Sequence, residues 1–179
     1  IDTTAPAAPL IRTSTSLTNI NTPTITGTAE AGSTVELLSG SDSLGTVIAA
    51  DNGTFSITSS ELADANYALT VTATDEAGNI SDPSTGLPIT IDTTAPAAPL
   101  ITTDIALTNI NTPTITGTAE AGSTVELLNG NNVLGTVIAA NDGSFSITSS
   151  VLPDEIYTLT VRATDLAGNV SAESVGLPI

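Results

Sequence analysis

Carboxylates make up nearly all the reactive chemistry in this sequence. Nineteen acids face two basic side chains, Arg12 and Arg162, with no lysine, histidine or cysteine. Nucleophilic triads and Schiff-base chemistry therefore lack their usual parts. Zinc held by thiolate or imidazole is excluded as well. A carboxylate pair can in principle cleave glycosides. Such sites are normally walled by aromatic rings, and only two Tyr and two Phe are present. The chain reads as non-enzymatic. What clustered carboxylates can do is hold a hard cation, because like charges a few ångströms apart repel unless protonated or bridged. Calcium accepts roughly six to eight oxygens in flexible geometry, which places it first and magnesium a distant second.

The elements that must position these acids come in two copies. IDTTAPAAPLI at Ile1–Ile11 returns at Ile91–Ile101, and NTPTITGTAEAGSTVELL at Asn21–Leu38 returns at Asn111–Leu128. Residue i matches residue i+90 without a gap, with about three-quarters of the pairs identical. That period is too long for a solenoid and suits a small domain of about 100 residues. The expected domains are 1–90 and 91–179.

Each copy reads as an all-β, seven-stranded, immunoglobulin-like Greek-key sandwich, with turn signals every ~8–12 residues. In the first copy the strands are expected at Ala8–Ile11, Thr24–Ala29, Thr34–Leu38, Leu44–Ala49, Thr54–Ser59, Tyr67–Thr74 and Ile80–Ile91. Ile25, Gly27 and Ala29 alternate inward, as do Val35 with Leu37, and Phe55 with Ile57. Leu62–Tyr67 and Leu152–Tyr157 are similar to the tyrosine corner of Greek-key sandwiches. No disulfide framework is available, and no membrane span, signal peptide or lipidation motif is evident, so an excerpt of a longer chain is expected.

Antiparallel strands put alternate loops at opposite poles. One pole then gathers Glu30, Asp51, Asn52, Asp75 and Asn79, with Asp2 on the entering segment. The second copy repeats this with Glu120, Asn141, Asp142, Asp165 and Asn169, and Asp92 lies on the connection. Calcium ligation is expected at the junction, by Asp92, Glu120 and Asp165. Asp2, Glu30 and Asp75 form the equivalent set in the first copy. The competing reading is that these acids are solvated charges that keep an exposed, marine or halophilic chain soluble. Other acids have local roles on this reading: Asp51-Asn52-Gly53 and Asn141-Asp142-Gly143 as hairpin turns, Asp64 and Asp154 as supports of the tyrosine corner. Glu36 and Glu126 read as solvated mid-strand residues, and Asn79 and Asn169 as left-handed turn residues.

DTTAP, GTAEAGSTVEL, the turn before Phe-Ser-Ile and ATDxAGN together resemble bacterial Ig-like repeats of giant type I-secreted adhesins, the biofilm-associated surface proteins. The likeness spans both copies. It departs at Ala31 and Ala121, where related repeats often carry Pro after Glu. The resemblance implies an extracellular, cell-surface stalk that projects a distal adhesive domain for attachment and biofilm formation. It also implies calcium at domain junctions through Asp92 and Asp165, and through Asp2 and Asp75. The expected partners are neighbouring repeats of the same chain, with the chain a monomer and no adhesive ligand on these repeats. Nucleic acid and membrane insertion are not expected, because the net charge is −17. Two rival readings are a glycan- or protein-binding adhesive module and accessory Ig-like domains of a secreted enzyme.

Overall fold

The computed structural model describes residues 1–179 and contains strands and no helix. No helix is therefore long and apolar enough to cross a membrane. Two compact units, Ile1–Thr93 and Thr94–Ile179, divide the chain.

In the first unit the strands are β1 (Leu10–Ile11), β2 (Leu17–Thr18), β3 (Thr24–Thr28), β4 (Thr34–Ser39), β5 (Asp42–Ile48), β6 (Thr54–Thr58), β7 (Ala65–Thr74) and β8 (Leu87–Ile91). They form two sheets, ordered β1-β3-β6 and β2-β8-β7-β4-β5. Alternation drives the packing. The outward threonines of β3 meet water while Ile25 is fully buried against Val35, Leu37, Phe55, Ile57, Leu69 and Val71. Gly27 is required by close approach: a Cβ there would lie 2.2 Å from the Leu10 carbonyl oxygen and 2.5 Å from the Phe55 ring.

The second unit repeats the plan with β9 (Leu100–Ile101), β10 (Thr114–Thr118), β11 (Thr124–Asn129), β12 (Asn132–Ile138), β13 (Ser144–Thr148), β14 (Thr158–Thr164) and β15 (Leu177–Pro178). Its sheets run β9-β10-β13 and β12-β11-β14-β15. Ile115, Val125, Leu127, Phe145, Leu159 and Val161 fill its core. Both units are immunoglobulin-like β-sandwiches. The tyrosine corner is present in each, with Tyr67 donating to the Ala63 carbonyl and Tyr157 to the Pro153 carbonyl, both at 3.0 Å.

Two departures from the expected strands have clear causes. The first unit has an eighth strand: β2 pairs in parallel with β8, Leu17 opposite Thr90 and Thr18 opposite Ile91. Two residues of irregular sequence carry no alternation to reveal it. The strand expected over Ile80–Ile91 is regular only at Leu87–Ile91. Upstream, serine hydroxyls take the place of a ladder. Ser81 and Ser84 accept from the Ala73 and Val71 amides, and their own amides donate to the same residues' carbonyls. Ser171 and Ser174 do this for Ala163 and Val161 in the second unit. Buried backbone groups are thereby satisfied without a strand.

Candidate functional site

The acidic pole of the first unit is built by three connections. Between β3 and β4, Glu30-Ala31-Gly32-Ser33 makes a turn, with Gly32 at φ 78°. The Ser33 hydroxyl and amide both donate to the Glu30 carbonyl, at 2.7 and 3.2 Å. The β5–β6 connection lies alongside, because the Ala29 amide donates to the Gly53 carbonyl. The β7–β8 connection begins at Asp75, and the entering segment brings Asp2. Asp2, Glu30 and Asp75 line one open cleft with Ser33 and Glu76. The strand order thus does bring these three together.

Asp75 is the organised member. Its Oδ1 accepts from the Asn79 backbone amide and its Oδ2 from the Asn79 side-chain amide, both at 2.8 Å. Those bonds hold its carboxyl below the ordinary carboxylate range, the Asn79 side chain contributing most and slight burial opposing it. The same Asn79 side chain donates at 3.3 Å to the Asp2 carbonyl, tying the entering segment to the loop. Asp2 in turn caps its own turn by accepting from the Thr4 amide at 3.0 Å.

Asn79 therefore does not do what its place after glycine suggested. No non-glycine residue has positive φ; Gly78, at φ 90°, and Gly168, at φ 97°, take the left-handed conformation themselves. The asparagine is left free to clamp the aspartate. The signal that could have found it was the fixed spacing Asp-x-x-x-Asn, which is the span of an aspartate-closed loop.

The second unit has the same loop. Asp165 accepts from Gly168 and Asn169 amides on Oδ1, at 2.7 and 2.8 Å, and from the Asn169 side chain on Oδ2 at 2.8 Å. Burial pushes this carboxyl up, and the hydrogen bonds from Asn169 and Gly168 outweigh it, so it lies below its ordinary value. Ser123 closes the Glu120 turn at 2.7 Å. Asp92 belongs to the first unit, at the end of β8, where its amide donates to the Thr18 carbonyl.

The remaining acids sort themselves locally. Asn52 and Asp142 are turn residues, each accepting from the backbone amide and hydroxyl two positions on. The Asp64 Oδ1 accepts from the amide and hydroxyl of Thr93, at 2.9 and 2.8 Å, and so anchors the chain leaving β8. Glu126 is no simple solvated residue either. It pairs with Arg162 directly opposite on β14, Nε to Oε2 at 2.6 Å.

The donor chemistry of the cleft is oxygen only, from carboxylates, the Ser33 hydroxyl and backbone carbonyls, which suits calcium and offers nothing to zinc. No three acidic side chains converge into a closed ligand cluster. The cleft is an open collection of donors with one of them, Asp75, already fixed in place.

Residues 11–93 and 102–179 each match the bacterial Ig-like domain family. Among curated proteins, the chain is 34% identical over 185 residues to chitinase A1 of Niallia circulans, covering 97% of this chain and 26% of that protein. It is 33% identical over 190 residues to exoglucanase B of Cellulomonas fimi, covering 99% and 17%. The chain thus spans about a quarter or less of the curated relatives it matches. Among solved structures, it superposes on the fibronectin(III)-like modules of Clostridium thermocellum CbhA with a TM-score of 0.58 at 18% identity, covering 96% and 92% of the two chains. A biofilm-associated protein BSP domain gives a TM-score of 0.39 at 24% identity, over 96% and 29%.

Proposed function

The chain belongs to the bacterial Ig-like domain family, and on that premise we propose that it is a non-catalytic spacer: stalk repeats of a large extracellular protein, stiffened by calcium. The observation that supports this reading best is the doubling of the whole acidic pole. Two sandwiches that share about three-quarters of their residues repeat length and a loop geometry, not a reaction. Between Ile91 and Pro96 there is no Gly/Ser-rich tether, and Pro96 restricts the preceding Ala95 to extended conformations.

In this reading Asp2, Glu30 and Asp75 hold calcium in the first unit. Asp92, Glu120 and Asp165, the residues 90 positions on, do so at the junction. Asn79 and Asn169 keep Asp75 and Asp165 ionised and oriented before the ion arrives, so that only the more exposed Asp2 and Glu30 need to close. Calcium supplies the positive charge that offsets carboxylate repulsion. Affinity is on the order of 10⁻⁴–10⁻³ M, as for extracellular modules. Calorimetric titration of the chain with calcium tests this, and no heat or thermal shift at millimolar calcium contradicts it.

A second reading is favoured by the identities to chitinase A1 and exoglucanase B: that these are accessory modules between functional domains of a secreted enzyme. The physical role, a spacer, is the same in both. A surface adhesin stalk projecting an adhesive domain is distinguished by what flanks these repeats in the full-length protein, with further copies supporting the stalk and a catalytic domain supporting the enzyme.

A further inference from the structure

Of the asparagines, only Asn52 and Asn129 stand directly before a glycine. Glycine has no side chain to crowd an attack by its own amide nitrogen on the asparagine before it. The structure separates the two steps. Asn52-Gly53 lies in the turn between β5 and β6, where the Gly53 amide donates to the Ala50 carbonyl at 2.7 Å. The Asn52 Oδ1 accepts from the amide and hydroxyl of Thr54, at 3.0 and 2.7 Å. Space is short as well, since a Cβ built on Gly53 would lie 2.8 Å from the Ala29 carbonyl oxygen. Both the attacking amide and the side chain it would attack are tied down.

Asn129-Gly130 is free of these restraints. It closes the hairpin between β11 and β12, with Asn129 opposite Asn132. Gly130, at φ 56°, takes the first central place of the two-residue turn, where glycine suits the hairpin twist. Its exposed amide donates to no protein group, and the partly buried Asn129 side chain makes no hydrogen bond. A Cβ added to Gly130 would meet nothing within 4 Å. The first unit carries Ser39-Gly40 at this place, so it builds the same turn without the side-chain amide.

We infer that Asn129 is a site of self-modification, at which the side-chain amide is lost to give an aspartyl or isoaspartyl link at the tip of the second unit's hairpin. Solvent hydroxide takes the Gly130 amide proton. The nitrogen attacks the Asn129 Cγ, a C–N bond forms, and the side-chain nitrogen leaves as ammonia. Water then opens the cyclic imide at either carbonyl. Opening between Cγ and the nitrogen leaves an ordinary aspartate. Opening at the main-chain carbonyl carries the chain on through Cβ and Cγ, one methylene longer. No electron is transferred, and water is the only co-reactant. Either product adds a negative charge to a chain that stands at −17. The longer link falls at the Asn129–Asn132 pair, and β12 is an edge strand with no further strand to hold it in register.

The test incubates the whole chain in heavy-oxygen water at mildly alkaline pH, once folded and once in denaturant. Cleavage after glutamate then yields 127–155 and 37–61, which carry the two sites, and tandem mass spectrometry locates the label. In the folded chain, label accumulates at Asn129 about tenfold or more faster than at Asn52, where hydrogen bonds must first break. In denaturant the two rates converge. Asn129→Ser, which copies the first unit, removes the label from that turn. Equal folded rates, a faster reaction at Asn52, or no label at Asn129 once the unfolded chain has reacted overturns the assignment. Rates that stay apart in denaturant place the difference in local sequence and overturn it too.

Discussion

Asn79 holds both oxygens of Asp75 and, through the same side-chain amide, the carbonyl of Asp2. One neutral residue thereby joins a loop to an entering segment 77 positions away and leaves a carboxylate ionised at the cleft. Asn79→Ala raises the Asp75 pKa toward its ordinary value of 3.8 and frees the segment. Carboxyl titration by NMR reads the first effect, and loss of amide-exchange protection at Thr4 reads the second. Asn79→Asp is worse, since it sets two negative charges against each other.

The depressed carboxyls dictate acid sensitivity. Asp75, Asp142 and Asp165 all have folded pKa values below their unfolded ones near 3.8. The native state therefore binds fewer protons, and the stability these groups contribute is present above the unfolded value. It is lost as pH falls through 3.8 and on through the folded values. Melting temperature holds steady from about pH 7 to 5 and declines below about pH 4. A flat profile down to pH 3 contradicts the hydrogen-bond assignment.

Cross-strand Arg162 and Glu126 are half-exposed, and their ion pair is worth about 0.2–1 kcal/mol in a double-mutant cycle. Raising the salt concentration shrinks that coupling. Thr72 and Glu36 occupy the same register in the first unit, which provides an internal reference without the pair.

The hydroxyls of Ser59 and Ser149 are buried with no partner. Ser59→Ala removes a desolvated polar group and keeps the Ser59 backbone bond to Pro23. Denaturant unfolding is expected to show no loss and a gain of up to about 1 kcal/mol. Gly27→Ala has the opposite sign, costing about 1–3 kcal/mol or more, because the Leu10 backbone cannot retreat from the added Cβ.

Much of this architecture is legible in sequence because it is carried by alternation. Ile25, Val35, Leu37, Phe55 and Ile57 declare their inward faces by type and spacing. Strand order alone brings Asp2, Glu30 and Asp75 to one cleft. What alternation cannot show is where a side chain stands in for backbone. The serine-mediated stretch after Asn79 therefore reads in sequence as continuous strand, and the Asp64 clamp on Thr93 leaves no mark in the alternation. Strand β2 was invisible for a related reason, since its partner β8 selects it through tertiary contact and not through local pattern.

The central claim, a calcium-stiffened spacer, is tested most directly by thermal unfolding of the chain in calcium and in EGTA, with Asp75→Ala and Asp42→Ala as the paired variants. Calcium at ten times its dissociation constant adds about 1.4 kcal/mol for each site, a rise of several degrees for units of this size. The account predicts that rise in the parent chain and in Asp42→Ala, whose site is at the start of β5, and its reduction in Asp75→Ala. Identical melting curves with and without calcium, or equal responses from the two variants, contradict it.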